Sequence, residues 1–141
     1  LAELGFKVVA TDISGTAVKK AGETAKKKGL SIDFREDNIL KTKLKEEFDL
    51  IFDRGCFHVL EEPERETYVR HVDRLLKKDG FLFLKTFSVK ETKVDGPYRF
   101  APEDIRKFFG STLNVRSIEE SFFKSSIQSD PRALFCVIQK S

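Results

Sequence analysis

Strand-like and helix-like segments alternate along this chain, and that order limits its fold more than any single motif does. Residues 6–11 are apolar and β-branched, as buried strands are. A helix is predicted from residue 14 or 15 to about residue 28, with Gly29 as its stop. A second strand is predicted over residues 30–35. This strand–helix–strand order predicts an α/β fold with a parallel sheet.

The rest of the chain continues the alternation and then departs from it. The predicted elements are a strand over 48–52, a helix from Pro63 to Asp79-Gly80, a strand over 81–87, a short helix from Pro102 to Gly110, and strands over 112–123 and 133–139. No helix separates the last two strands, so we expect them to pair antiparallel. The predicted fold is a single domain over residues 1–141, a Rossmann-like doubly wound, mostly parallel sheet with a C-terminal antiparallel hairpin.

Composition limits the classes of partner. Charged residues reach 35%, but the net charge is only +3, which does not suggest a protein that binds nucleic acid. No apolar run approaches the roughly 20 residues that a membrane helix needs, and no signal peptide is visible. The two cysteines, Cys56 and Cys136, do not form a disulfide framework. These features predict a soluble cytoplasmic protein with a small-molecule ligand.

Each of three successive strands is followed by an aspartate. Asp12, Asp37 and Asp53 should meet at one edge of the sheet, where ligands bind in folds of this kind. A carboxylate after the first strand suits the two hydroxyls of a ribose, because its two oxygens can accept two adjacent donors. Asp37 with Asn38 suits the edge of an adenine. Each aspartate alone is also explained by an ordinary cap or turn, and the set of three favours a nucleotide-like cofactor.

The same residues lie in segments that resemble a known family. "VVATDIS", "REDNIL", "FDLIFDRGCFHVL", "LLKKDGFLFLKTF" and "YRFAPEDIRKFF" stand in the order of the later strands and helices of class I S-adenosylmethionine-dependent methyltransferases. The run Asp53-Arg54-Gly55 resembles most the thiopurine and tellurite-resistance methyltransferase group. The resemblance covers essentially the whole chain. It implies S-adenosylmethionine as cofactor and methyl transfer to a small molecule as the activity.

The resemblance also implies a role for particular positions. Asp12 would bind the ribose with Ile13 near the adenine, Asp37, Asn38 and Ile39 would hold the adenine, Asp53 would lie near the methionine part, and Arg54, Gly55, Cys56, Phe57 and His58 would lie near the acceptor. No metal ligand set is implied. The glycine-rich loop of this family would stand upstream of Leu1, so we expect an N-terminally incomplete domain. The loop over residues 90–99 is expected to cover the acceptor.

Methyl transfer from a sulfonium depends mainly on positioning, because the donor is already activated by its charge. His58 is the candidate general base for an acceptor that arrives protonated. The competing interpretation is that His58 only packs beside Phe57. Cys56 is expected to be a half-buried structural thiol and Cys136 a core residue. Two other functions stay open: a nicotinamide-dependent oxidoreductase, and a binding or scaffold domain without catalysis.

Overall fold

The computed structural model describes residues 1–92, 95–124 and 130–141. Parts of the predicted loop over 90–99 and of the connection between the last two predicted strands lie outside these described residues. The chain divides into two compact units, residues 1–44 and residues 45–141. Each unit has its own sheet.

The first unit is one strand–helix–strand repeat. Strand β1 covers Val8–Asp12, helix α1 covers Gly15–Lys27 and strand β2 covers Ile32–Glu36. The two strands pair in parallel, with Val8 opposite Ile32 and Asp12 opposite Glu36. A short 3-10 turn, Ala2–Leu4, precedes β1, and another, Ile39–Lys41, follows β2. The predicted strands and helix are therefore confirmed.

Local capping explains where α1 begins and ends. The hydroxyl of Ser14 accepts the amide N–H of Ala17 at 3.2 Å, which satisfies a donor that the helix itself leaves unpaired. Gly29 follows the helix with φ +66°, a conformation that glycine adopts without a Cβ clash. The predicted stop at Gly29 is confirmed.

The second unit contains a four-stranded sheet and two helices. The strands are β3 (Phe48–Arg54), β4 (Leu76–Phe87), β5 (Asn114–Phe122) and β6 (Arg132–Gln139), and the helices are α2 (Glu62–Leu75) and α3 (Pro102–Phe109). The order across the sheet is β3-β4-β6-β5. The β3–β4 pair is parallel, whereas β6 is antiparallel to both β4 and β5. The predicted C-terminal hairpin is confirmed.

Strand β4 separates the core of this unit from its other face. Leu82, Leu84 and Thr86 are fully buried, whereas the intervening Lys85 and Phe87 are half-buried. Such alternation is expected of a strand, because successive side chains point to opposite faces of the sheet. The buried side chains of β4 belong to the same core as Val72 of α2 and Ile105 of α3. The half-buried side chains belong to the candidate site described below.

The predicted end of the long helix was wrong. The helix ends at Leu75 rather than at Asp79-Gly80, and β4 begins at Leu76. Leu76 has an extended backbone, is fully buried and pairs with Phe48 of β3. The last helical turn that sequence periodicity suggested does not form, because Leu76 is buried as the first residue of β4.

Replacement of Gly80 by alanine is expected to lower the free energy of unfolding by about 1–3 kcal/mol. A Cβ at this position would lie 2.9 Å from the carbonyl oxygen of Lys77 and 3.1 Å from that of Asp49, and backbone atoms cannot easily move aside. Gly22→Ala is the matched control, because its Cβ would lie 3.8 Å from the Phe34 ring, an ordinary contact within α1. The control should gain about 0.5–1 kcal/mol from helix propensity. Urea denaturation of both variants checks the opposite signs.

Candidate functional site

The carboxylate that ends β1 is exposed and only partly engaged. Oδ1 of Asp12 accepts the amide N–H of Ser14 at 2.7 Å, and the described part of the chain offers no partner to Oδ2. Ile13 beside it is 69% exposed, which is unusual for a large aliphatic side chain. An accepting carboxylate next to an accessible apolar surface fits a ribose and the face of its base.

The segment after β2 lies against the end of β1. The amide N–H of Asp37 donates to the carbonyl of Asp12 at 3.0 Å, which brings two of the predicted residues together. Oδ1 of Asp37 accepts a hydrogen bond from the backbone N–H of Lys43. The side-chain oxygen of Asn38 accepts one from the backbone N–H of Leu40. Asn38 therefore caps the 3-10 turn that contains Ile39. Within the first unit, the residues predicted for adenosine lie at one end of the β1–β2 pair.

In the second unit, one buried carboxylate organises the loop after β3. Asp53 is 6% exposed, and its two oxygens accept the amide N–H groups of Cys56 at 2.7 Å and of Phe57 at 3.0 Å. The hydroxyl of Tyr68 on α2 donates a third hydrogen bond, at 2.5 Å. Burial next to this carboxylate raises the pKa of Tyr68 well above its ordinary value, so the hydroxyl keeps its proton. The predicted contact of Asp53 with a cofactor stays a prediction. Its three hydrogen bonds show that Asp53 stabilises the loop after β3.

Phe57 and Cys56 differ sharply in burial. Phe57 is fully buried, and its predicted place beside an acceptor stays a prediction. The ring lies between those of Tyr68 and Phe109, with centroids 5.2 and 5.1 Å away, and packing inside this aromatic core explains its burial. The thiol of Cys56 is exposed rather than half-buried. Cys136 is buried as predicted, and burial raises the pKa of its thiol to about 12.

His58 lies on the other side of the same loop. It is 6% exposed, and its ring stacks on Phe87 of β4 with centroids 4.6 Å apart. Nδ1 of His58 accepts the amide N–H of Phe87 at 3.3 Å. Burial lowers the pKa of His58, against an opposing effect of Asp53, so the neutral imidazole is favoured at physiological pH. The ring of His58 therefore packs against Phe87, and it also lines a depression of the surface.

That depression has a basic and aromatic lining. Its lining residues are Arg54, Gly55, His58, Phe87, Phe123, Lys124 and Pro131. The guanidinium of Arg54 lies 5.3 Å from the centroid of the Phe123 ring, and the ammonium of Lys85 lies 5.4 Å from the same centroid. Burial, Arg54 and Lys124 together lower the pKa of Lys85, with Asp130 opposing them. Such a surface favours an anion or an electron-rich small molecule.

A second cation holds the segment before α3 in place. Arg65 is buried, and its guanidinium lies 4.6 Å from the Tyr98 ring centroid and 4.9 Å from that of Phe100. Tyr98 donates its amide N–H to the carbonyl of His58 at 2.9 Å and its hydroxyl to Glu61 at 2.5 Å. The segment around Tyr98 is thus fixed to the loop that carries His58.

Several of these residues were not predicted from the sequence. Lys85, Phe87 and Phe123 line or flank the depression, and Tyr68 supports the loop. A signal for two of them was present in "FLFLKTF", because Lys85 and Phe87 alternate with the core residues Leu84 and Thr86. Phe123 follows β5, and nothing in its local sequence marks it as a site residue.

Two features of the described residues bear on other classes of site. No helix within the described ranges is long and apolar enough to span a membrane. Among the same residues, no group of three or more His, Cys, Asp or Glu side chains is arranged to hold a metal ion.

Comparison with known proteins identifies the class. The fold is that of class I methyltransferases: the N-methyltransferase NodS from Bradyrhizobium japonicum, solved with S-adenosyl-L-homocysteine, matches with a TM-score of 0.77 and 19% identity over 95% of this chain and 66% of that one. The family model for thiopurine S-methyltransferase (TPMT) matches residues 1–140, so the chain belongs to that family. The resemblance proposed from the sequence is confirmed.

The chain is also similar to named methyltransferases of yeast and plants. An uncharacterised methyltransferase of Schizosaccharomyces pombe is 33% identical over 89 residues, which are 62% of this chain and 61% of that protein. Thiocyanate methyltransferase 1 of Arabidopsis thaliana is 29% identical over 129 residues, or 90% of this chain and 53% of the plant protein. The chain thus spans about half to three fifths of these relatives. The nicotinamide-dependent alternative receives no support from the comparisons.

Removal of the Tyr68 hydroxyl tests the organisation of the loop. We expect Tyr68→Phe to cost about 1–3 kcal/mol of folding free energy, because a buried hydrogen bond to a charged group is lost. Tyr98→Phe, which also removes a carboxylate-bound hydroxyl but at a more exposed position, should cost clearly less. Thermal or urea unfolding of the two variants gives the comparison, and equal losses would contradict the role assigned to Asp53.

Protonation of His58 should make stability depend on pH. The folded-state pKa lies below the ordinary value of 6.5, so the unfolded chain binds the proton more readily. This part of the stability is fully present above pH 6.5 and is lost as the pH falls through the lowered folded-state pKa. The difference in unfolding free energy between the natural protein and His58→Asn should therefore change over that window. A pH-independent difference between the two proteins would argue against a depressed pKa.

Proposed function

We propose that the protein carrying this chain transfers the methyl group of S-adenosylmethionine to a small-molecule acceptor. Membership of the thiopurine S-methyltransferase family is the observation that carries this proposal. The cofactor would supply a methyl group on a positively charged sulfur, ready for in-line displacement. The chain's own residues then have two tasks, which are to hold the adenosine and to orient the acceptor.

The end of the β1–β2 pair offers a carboxylate acceptor and an exposed apolar side chain, which suit the ribose and the base of an adenosine. The unengaged oxygen of Asp12 would accept a ribose hydroxyl, and the exposed side chain of Ile13 would cover one face of the adenine. Asp37 and Asn38 stand next to Asp12 through the Asp37–Asp12 backbone hydrogen bond. These assignments extend the family resemblance to individual residues and are part of the proposal.

The acceptor would bind in the basic depression of the second unit. Arg54, Lys85 and Lys124 favour an acceptor that carries negative charge, and Phe123 offers a polarisable surface below two of these cations. The name of the Arabidopsis relative provides an anionic candidate, thiocyanate. The near-neutral charge of the whole chain supports a small molecule rather than a nucleic acid. A cytoplasmic location agrees with this chemistry and remains part of the proposal.

Cofactor binding is tested by calorimetric titration of the full-length protein with S-adenosylhomocysteine. Asp12→Ala should weaken binding about tenfold or more, because a hydrogen bond to a charged group is lost. Asp33→Asn on β2 is the matched control, since that carboxylate is exposed and engaged with Arg35 of the same strand. No binding by the natural protein at millimolar cofactor would overturn the proposal and favour a non-catalytic role.

Acceptor binding is tested by methylation kinetics with thiocyanate. Arg54→Gln should raise KM for thiocyanate roughly tenfold, because one cation of the depression is removed. Lys77→Gln is the control, since Lys77 pairs with Asp49 on an exposed part of the second unit. An equal change in KM for both variants would place the anion elsewhere.

A further inference from the structure

The orientation of the His58 ring fixes which of its nitrogens can carry a proton. A backbone amide can only donate, so Nδ1, which accepts the N–H of Phe87 at 3.3 Å, must present a lone pair. The neutral imidazole then has its proton on Nε2. Stacking on Phe87 and an edge contact with Phe123, 5.7 Å between centroids, hold the ring in this orientation.

Nε2 of His58 has no hydrogen-bond partner in the part of the chain that the structure describes. Among the described residues, Thr86 Oγ1 is the sole fully buried side-chain nitrogen or oxygen without a partner. The unpartnered Nε2 is therefore accessible from the surface, although His58 as a whole is only 6% exposed. It belongs to the lining of the basic depression.

Gly55 keeps the approach to Nε2 clear. A Cβ at this position would lie 3.2 Å from Nε2 and 3.3 Å from the neighbouring Cε1 of the ring. Gly55 also has φ +107°, which side-chain-bearing residues rarely adopt. The glycine therefore meets two needs, the sharp turn after β3 and the space beside the imidazole.

We propose that His58 is a fixed hydrogen-bond donor that directs a lone pair of the methyl acceptor through Nε2–H, and that it is not a general base. This inference rests on the proposed function and names the acceptor class more closely. A base needs a free lone pair, and the lone pair of the neutral ring is held by Phe87. The proposed donor role is an alternative to the general-base role that the sequence suggested for His58.

The acceptor must then reach the site without a proton on the reacting atom. Its lone pair forms the bond to the methyl carbon, the carbon–sulfur bond breaks with its electrons going to sulfur, and no proton changes place. An anion such as thiocyanate or a thiolate meets this condition, whereas an alcohol or a protonated amine does not. The cations Arg54, Lys85 and Lys124 favour the same ionisation state.

The tautomer is measurable without any enzymatic activity. Long-range proton–nitrogen NMR spectra of the full-length protein, labelled with nitrogen-15, should show His58 protonated on Nε2 alone at pH 8, with His58→Gln providing the assignment. Addition of sodium thiocyanate should shift the Nε2 resonance of His58 and leave that of His71, on α2, in place. Protonation on Nδ1, or no shift at saturating thiocyanate, would overturn the proposal.

Two substitutions separate a donor from a base and from a packing residue. In His58→Asn the side-chain oxygen can still accept the Phe87 N–H, but the Nε2–H donor is gone. In His58→Gln the amide N–H can reach the place of Nε2–H. We expect the asparagine variant to raise KM for thiocyanate roughly tenfold at nearly unchanged kcat, and the glutamine variant to recover most of that loss.

The other roles predict different results for the same variants. A general base would make both variants lose kcat, and would give the natural enzyme a pH limb that both variants lack. A packing role would affect folding stability and leave the two variants alike in KM. His71→Asn serves as control for the loss of a histidine. If the natural enzyme does not methylate thiocyanate, the proposed function fails for this acceptor, and the NMR titration still decides the role of His58.

Discussion

The buried carboxylate of Asp53 is the interaction on which the candidate acceptor site depends. Three hydrogen bonds, from the amides of Cys56 and Phe57 and the hydroxyl of Tyr68, fold the loop after β3 into one conformation. A buried charge is tolerated only when its oxygens are satisfied in this way. In this conformation the side chain of Phe57 packs in the aromatic core, and His58 lines the basic depression. The position of the His58 ring is thus determined by Asp53, a residue that does not line the depression.

Much of the fold followed from the sequence because hydrophobic periodicity reports burial directly. Helix α1 and the hairpin of β5 and β6 were predicted close to their observed bounds. The end of α2 was not, because Leu75 and Leu76 are both buried and the periodic pattern does not show that the backbone becomes extended between them. Tertiary burial outweighed local propensity at that point.

The sequence predicted the strand ends at which the candidate residues lie, but not the contacts that their side chains make. The aspartates Asp12 and Asp37 meet within the first unit as expected, because parallel strands bring their carboxyl ends to one edge. Whether His58 can act as a base depends on which of its ring nitrogens accepts a hydrogen bond from the backbone. The donor is the N–H of Phe87, 29 residues later in the chain, so the sequence near His58 does not reveal it. Lys85 escaped notice because its place over Phe123 arises from the pairing of strands.

The register of β4 connects the stability of the core to the chemistry of the depression. Lys85 and Phe87 face the site, whereas Leu84 and Thr86 face the core, and Phe87 also donates the N–H that fixes His58. A shift of one residue in this strand would exchange the two faces. Pairing with β3, where Arg54 lies opposite Lys85, and with β6 on the other side excludes such a shift. The two cations are therefore placed together by the same backbone pairing that buries the leucines, and their mutual repulsion is a cost that the packed sheet can offset.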